Sequence, residues 1–98
     1  MSLPLTFRAA AKSEFDEAAS WYESQRSELG VSFIAEIDRV LEAIANQPTL
    51  FRIAEVDVRV ALVSRFPYAV YYRVKPTRIV VIAVFHTSRD PKVWKSRI

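Results

Sequence analysis

The chain has 98 residues, 51% of them apolar and 12% aromatic, with a net charge of +3 and no cysteine. That length supports one domain, residues 1–98, built around one core. The lack of cysteine excludes disulfides and thiolate metal sites and suits a reducing compartment. The charge is unevenly divided. Residues 1–47 hold four basic and eight acidic side chains, net −4, whereas residues 48–98 hold ten basic and three acidic ones, net +7. A basic C-terminal half implies an acidic partner, either protein or nucleic acid. Met1-Ser2-Leu3-Pro4-Leu5 lacks the basic start and long apolar run of a signal peptide, and the apolar run 79–85 is too short to span a bilayer. The expectation is a soluble cytoplasmic domain with no membrane contact.

In chain order, Leu3, Leu5 and Phe7 alternate with Pro4, Thr6 and Arg8, the pattern of a short first strand. Ala9-Ala10-Ala11-Lys12 then starts a helix running to about Gln25. Phe15, Ala18, Ala19 and Tyr22 mark its apolar face, and Glu14, Asp16 and Glu17 are expected near its positive end. Gly30, the single glycine, is assigned to the turn between helices. In the second helix Phe33, Ile34, Ile37, Val40, Leu41 and Ile44 form one stripe, with Glu36, Asp38, Arg39 and Glu42 opposite, and Pro48 ends it. The short connection makes the helices an antiparallel hairpin.

Residues 49–55 show no clear period and read as a loop. Val56, Val58, Val60 and Leu62 alternate with Asp57, Arg59, Ala61 and Val63, a second strand. The third comes from residues 65–74, where aromatic and branched residues alternate and Pro67 marks its entry. After the Lys75-Pro76-Thr77 turn, residues 78–86 form the fourth. The expected fold is α+β, in the order β-α-α-β-β-β. A helical hairpin covers one face of a mainly antiparallel four-stranded sheet, with the first strand antiparallel to its neighbour. Asp90-Pro91 is a favoured helix start, so residues 91–98 are expected to form a short terminal helix. Residues 79–85 are apolar on both faces of their strand, as in a strand buried on both sides. One helical layer covers only one of them. The other calls for the terminal segment, a second copy of the chain or a partner.

Little in the sequence points to chemistry of its own. His86, the only histidine, is read as a strand-end residue bonded to the following turn. The tyrosines read as packing groups with wet hydroxyls. One histidine without cysteine argues against a transition-metal site, and the sequence has no glycine-rich phosphate loop, so neither metal nor cofactor is expected. The charged helix faces read as solvated surface.

Taken in order, Arg65-Phe66-Pro67-Tyr68, Tyr71-Tyr72-Arg73-Val74, Ala83-Val84-Phe85-His86 and Arg89-Asp90-Pro91 with Trp94 resemble the RelE/ParE superfamily of type II toxin–antitoxin toxins. The Phe-Pro-Tyr strand and the His-x-x-Arg-Asp-Pro-x-x-Trp ending resemble the ParE branch most, and Trp21-Tyr22 and the Gly30 to Phe33 start also fit. The resemblance covers nearly the whole chain. It implies a plasmid-stabilisation type of toxin, held inactive by an acidic cognate antitoxin and inhibiting DNA gyrase when free. On this resemblance Arg59, Arg65, Tyr72 and Arg73 would bind the antitoxin. Arg89, Lys92, Trp94, Lys95 and Arg97 would meet the target, and no residue would be catalytic. The RelE branch implies instead a ribosome-dependent mRNA endonuclease, for which Arg65, His86 and Arg89 are the candidates. Against that branch, Ala69 stands where its pattern carries arginine, and the chain ends Trp94-Lys95-Ser96-Arg97-Ile98 rather than in a catalytic tyrosine. A third expectation is a non-toxic member that only binds its partner. A homodimer or a toxin–antitoxin hetero-oligomer would suit any of the three.

Overall fold

Eight elements follow one another in the computed structural model, which describes residues 3–98. They are β1 (Leu5–Phe7), α1 (Ala9–Gln25), α2 (Leu29–Asn46), β2 (Ile53–Glu55), β3 (Val58–Leu62), β4 (Tyr68–Val74), β5 (Ile79–His86) and α3 (Lys92–Lys95). The five strands make one mixed sheet in the order β1-β5-β4-β3-β2. The α+β class, helical hairpin and short terminal helix are as expected, but two details of the sheet differ. Residues 53–55 are a strand and not loop, paired antiparallel with β3. β1 is parallel to β5, with Leu5, Thr6 and Phe7 opposite Ile79, Val80 and Val81.

These differences share a cause. The turn joining β2 to β3 contains no glycine; instead Val56 adopts a left-handed conformation, with φ 55°. Such a turn normally calls for Gly or Asn, so the usual hairpin signal is missing. The helical hairpin returns the chain to the end where α1 began, so β2 runs opposite to β1. Three reversals then bring β5 back into β1's direction.

Helix α1 buries Ala11 and Ala18, with Phe15, Ala19 and Tyr22 partly covered, as their spacing requires. Its first turn holds no acid, since Glu14 lies in the second turn and beyond. Helix α2 buries Phe33, Ile37 and Ile44 completely. Glu36, expected on the polar face, is 4% exposed and accepts from Arg39 Nη1 at 2.8 Å.

Gly30 is not the turn residue. That position belongs to Glu28, at φ 73°, and Gly30 is already inside α2. Glycine is required there by proximity. A Cβ on Gly30 would stand 2.6 Å from the Ala19 carbonyl oxygen and 2.9 Å from Glu23 Cβ. The close approach lets the Glu23 carboxylate cap the start of α2, accepting from the Glu28 N–H at 3.0 Å and the Gly30 N–H at 2.9 Å. Gly30→Ala is therefore expected to lower stability by about 1–3 kcal/mol, the usual cost of overpacking, measured as a shift in urea midpoint. An unchanged midpoint would mean that the helices separate freely.

The main core lies between the helices and the sheet, where Phe33, Ile37, Val70, Tyr72, Ile79, Val81 and Val84 meet. A bulge divides β5. Tyr72 faces Val81 and Tyr71 faces Ala83, so Ile82 is the extra residue and the alternation shifts by one. Val84 therefore returns to the helical side. A smaller cluster on the opposite face joins Val58, Ile82, Ala83 and Phe85 to Trp94 of α3, which stacks on Tyr71 at 4.0 Å. The terminal segment thus covers part of the second face as anticipated, although its α-helix spans Lys92–Lys95 and not residues 91–98. Asp90 Oδ1 accepts from the Lys92 N–H at 2.9 Å, so its capping part is kept. Leu62 remains 71% exposed. No helix among the described residues is long and apolar enough to cross a membrane.

Candidate functional site

Between α1 and the end of β5 lies an open cleft of about 280 Å³, lined by Glu14, Glu17, Ala18, Trp21, Tyr68, Val84, His86 and Arg89. Three of these positions follow from local sequence. Pro67 fixes the entry to β4, so Tyr68 opens that strand opposite His86. The β5 bulge turns Val84 toward the helices, and the Ser88 N–H donates to His86 Nδ1 at 3.0 Å, leaving the proton on Nε2. Tyr68 and His86 meet edge to face at 5.2 Å. Burial raises the Tyr68 phenol above its usual range; neighbouring Tyr22 and Glu14 add to this, and Arg89 opposes it. The phenol is thus neutral near pH 7, which suits a donor better than a base.

Glu14 organises one wall. Its Oε1 accepts from the Val84 N–H at 3.1 Å and Arg97 Nη1 at 2.9 Å; its Oε2 accepts from Arg89 Nη1 at 2.7 Å and Arg97 Nη2 at 2.8 Å. These hydrogen bonds hold the Arg97 charge and push its pKa up despite the opposing effect of burial. Glu14 was not among the residues expected to matter. It stands three residues after Ala11 and four before Ala18, within the buried stripe of α1. A charge inside an apolar stripe was the available signal. Glu17 and the 58% exposed Trp21 were missed as well, with no comparable signal.

The expected site residues separate into groups. His86 and Arg89 share the cleft, whereas Arg65 does not line it. Arg65 leaves the chain from a left-handed backbone conformation, φ 71°, and its Nη1 lies 3.4 Å from Glu36 Oε2, with the side chain 69% exposed. Arg59 Nη1 donates to the carbonyls of Phe51 at 2.6 Å and Thr49 at 3.2 Å, tying down the segment before β2. Arg73 is largely covered and pairs with Asp57 at 2.9 Å.

Tyr72, expected at the antitoxin contact, is fully buried in this structure, and its hydroxyl donates to the Pro48 carbonyl at 2.6 Å. Trp94, expected at the target surface, is 2% exposed. Arg97 is mostly covered by its bonds to Glu14 and to the Ile82 carbonyl. Arg89, Lys92 and Lys95 remain at the surface, with Lys95 Nζ 3.3 Å from Glu55. No three His, Asp or Glu side chains among the described residues are placed to hold a metal ion.

Burial pushes the Tyr72 phenol up to about 12, partly offset by Arg59. The folded pKa lies above the unfolded value of about 10. The stability contributed by this neutral phenol is therefore complete below about pH 10 and is lost as pH rises through about 12. Tyr72→Phe should cost about 1 kcal/mol near neutrality through its lost hydrogen bond. Its deficit against the parent should shrink between those pH values, as read from urea denaturation at each pH. A constant deficit would contradict the burial argument.

Comparison with known proteins agrees with this architecture. The chromosomal ParDE toxin–antitoxin system from P. aeruginosa contains a chain of similar fold, with TM-score 0.77 and 19% sequence identity over 87% of this chain and 96% of that one. At that identity the likeness concerns the fold. No curated protein sequence matches significantly. The family described as ParE toxin of type II toxin-antitoxin system, parDE, matches residues 5–91. On that match, which takes in α1, α2 and all five strands, the chain belongs to the ParE toxin family of type II toxin–antitoxin systems.

Proposed function

We propose that the free protein inhibits DNA gyrase in the cytoplasm, without chemistry of its own, and is neutralised when an acidic antitoxin covers its basic side. The observation that carries this reading is the separation of the cations that RNA cleavage would need together. Cleavage calls for a base or orienting group at the 2′-hydroxyl, a cation on the phosphorane and an acid for the leaving oxygen. Arg65 is drawn to Glu36, Arg89 is held by Glu14, and the Nδ1 of His86 is already bonded within its own turn. Membership of the ParE family favours gyrase over the ribosome.

Within this reading Arg65, the most exposed arginine of the proposed antitoxin set, makes the leading antitoxin contact. Arg59 and Arg73 support the sheet behind it. Arg89, Lys92 and Lys95 face the target, with Trp94 and Arg97 holding them in place. The test is induction of the chain alone, with plasmid topology and transcript integrity followed together. Loss of supercoiling or accumulation of broken DNA with intact transcripts is expected, and codon-specific transcript cuts would overturn the reading in favour of a nuclease. His86→Ala should leave growth arrest nearly unchanged; a large loss would point the same way as cut transcripts.

A further inference from the structure

We propose that Glu14 is the positioning residue that fixes the C-terminal segment, and with it the exposed cations of residues 89–95, in the arrangement the cellular target meets. The inference rests on the toxin reading above. It begins at the edge of the sheet. Strand β1 pairs with β5 only as far as Phe7 opposite Val81, because α1 starts at Ala9 and lifts the chain away. Strand β5 continues to His86, so its outer edge beyond Val81 has no strand partner. Backbone groups on such an edge need other partners. Here the Val84 N–H donates to Glu14 Oε1, and the Ile82 carbonyl accepts from Arg97 Nη1 at 3.1 Å. A paired carboxylate and guanidinium stand where a strand would be.

The same carboxylate joins three parts of the chain, since it also receives Arg89 and both terminal nitrogens of Arg97. Its hold matters because α3 has only four residues, too few to be stable as an isolated helix. Further ties are the Arg97 Nη1 bond to the Ile82 carbonyl, the Trp94 stack on Tyr71, the half-exposed Lys95–Glu55 pair and Arg8 Nη1 donating to the Arg97 carbonyl at 3.1 Å. None of these orients Arg89. Its guanidinium lies 4.7 Å from the Phe85 ring and is aimed by Glu14. Without the carboxylate, two arginines would face each other uncompensated and the Val84 N–H would lose its acceptor.

Glu14→Gln and, separately, Arg97→Gln can be compared with the parent by amide hydrogen exchange, antitoxin binding and growth arrest on induction. Exchange through residues 92–98 should rise on the order of tenfold or more in both variants, while exchange in α2 stays unchanged, marking local and not global opening. Growth arrest should weaken markedly and antitoxin affinity should hold within about threefold, as for sites that do not share partners. Unchanged exchange through residues 92–98 would overturn the positioning role. So would raised exchange with full growth arrest, or parallel loss of antitoxin binding and growth arrest. Arg97→Gln keeps the question open to test if Glu14→Gln fails to fold. A parent chain that arrests growth without affecting gyrase would refute the gyrase reading while leaving the Glu14 comparison intact. For a parent that does not arrest growth, the toxin reading fails and the exchange data alone decide whether Glu14 holds the segment.

Discussion

Trp94→Ala is expected to lower folding stability by about 3–5 kcal/mol, the range for truncating a large buried aromatic. A domain of this size has roughly 5–15 kcal/mol in total, so the loss is severe. The side chain is 2% exposed, stacks on Tyr71 at 4.0 Å and closes the cluster of Val58, Ile82, Ala83 and Phe85 on the face away from the helices. Its Nε1 has no hydrogen-bond acceptor among the described residues, so the contribution comes from the rings and not from a polar contact. Trp94→Phe should therefore keep most of the stability, losing less than about 1.5 kcal/mol. Urea denaturation of both variants separates packing from recognition. If Trp94→Ala abolished growth arrest at unchanged stability, the indole would be meeting a partner directly and its burial would not describe the free protein.

The sheet shows what the sequence could carry and what it could not. Strand β5 was legible because seven consecutive apolar residues allow only burial on both faces, and all seven are buried. Pro67 likewise marked the entry to β4. Strand β2 was not legible, because three residues are too few to show a period and its turn lacks the expected glycine. That one omission changed the inferred direction of β1, since each strand added to a meander reverses the sense of the last. The direction of one strand thus depended on a turn fifty residues away.

The charged residues failed for a different reason. Glu14 and Glu36 each fall within the apolar stripe of their helix, and a carboxylate at such a position invites assignment to the solvated side. Both are covered and paired: Glu14 by Arg89 and Arg97, distant in sequence, and Glu36 by Arg39 of its own helix at 2.8 Å and by the distant Arg65 at 3.4 Å. Burying a charge is tolerated only with such partners. For Glu14 the partners are a property of the tertiary fold, so helical spacing could flag the anomaly without resolving it. The cleft was illegible for the same reason, since it is formed where α1 crosses the end of β5.

The rings of the Phe66-Pro67-Tyr68 entry to β4 turn inward against the core, and Phe33→Ala tests what they hold. Phe33 is fully buried, with ring centroids 5.1 Å from Tyr68, 5.2 Å from Phe66 and from Tyr22, and 6.2 Å from Phe15. Truncation should cost about 3–5 kcal/mol, because the two edge-on contacts with Phe66 and Tyr68 are lost as well as buried area, each such contact worth roughly 0.5–1.5 kcal/mol. Phe33→Leu keeps much of the volume and should recover part of the loss. The effect should also be directional. Tyr68 joins this cluster to His86, so amide exchange at Tyr68 and His86 should quicken, while Trp94, in the separate cluster across the sheet, keeps its protection. Equal loss of protection on both faces would show that the sheet opens as one unit. Protection lost at β4 and kept at α3 would show that the aromatic hinge between α2 and β4 sets the shape of the cleft, leaving Arg65, just before it, as the group turned outward.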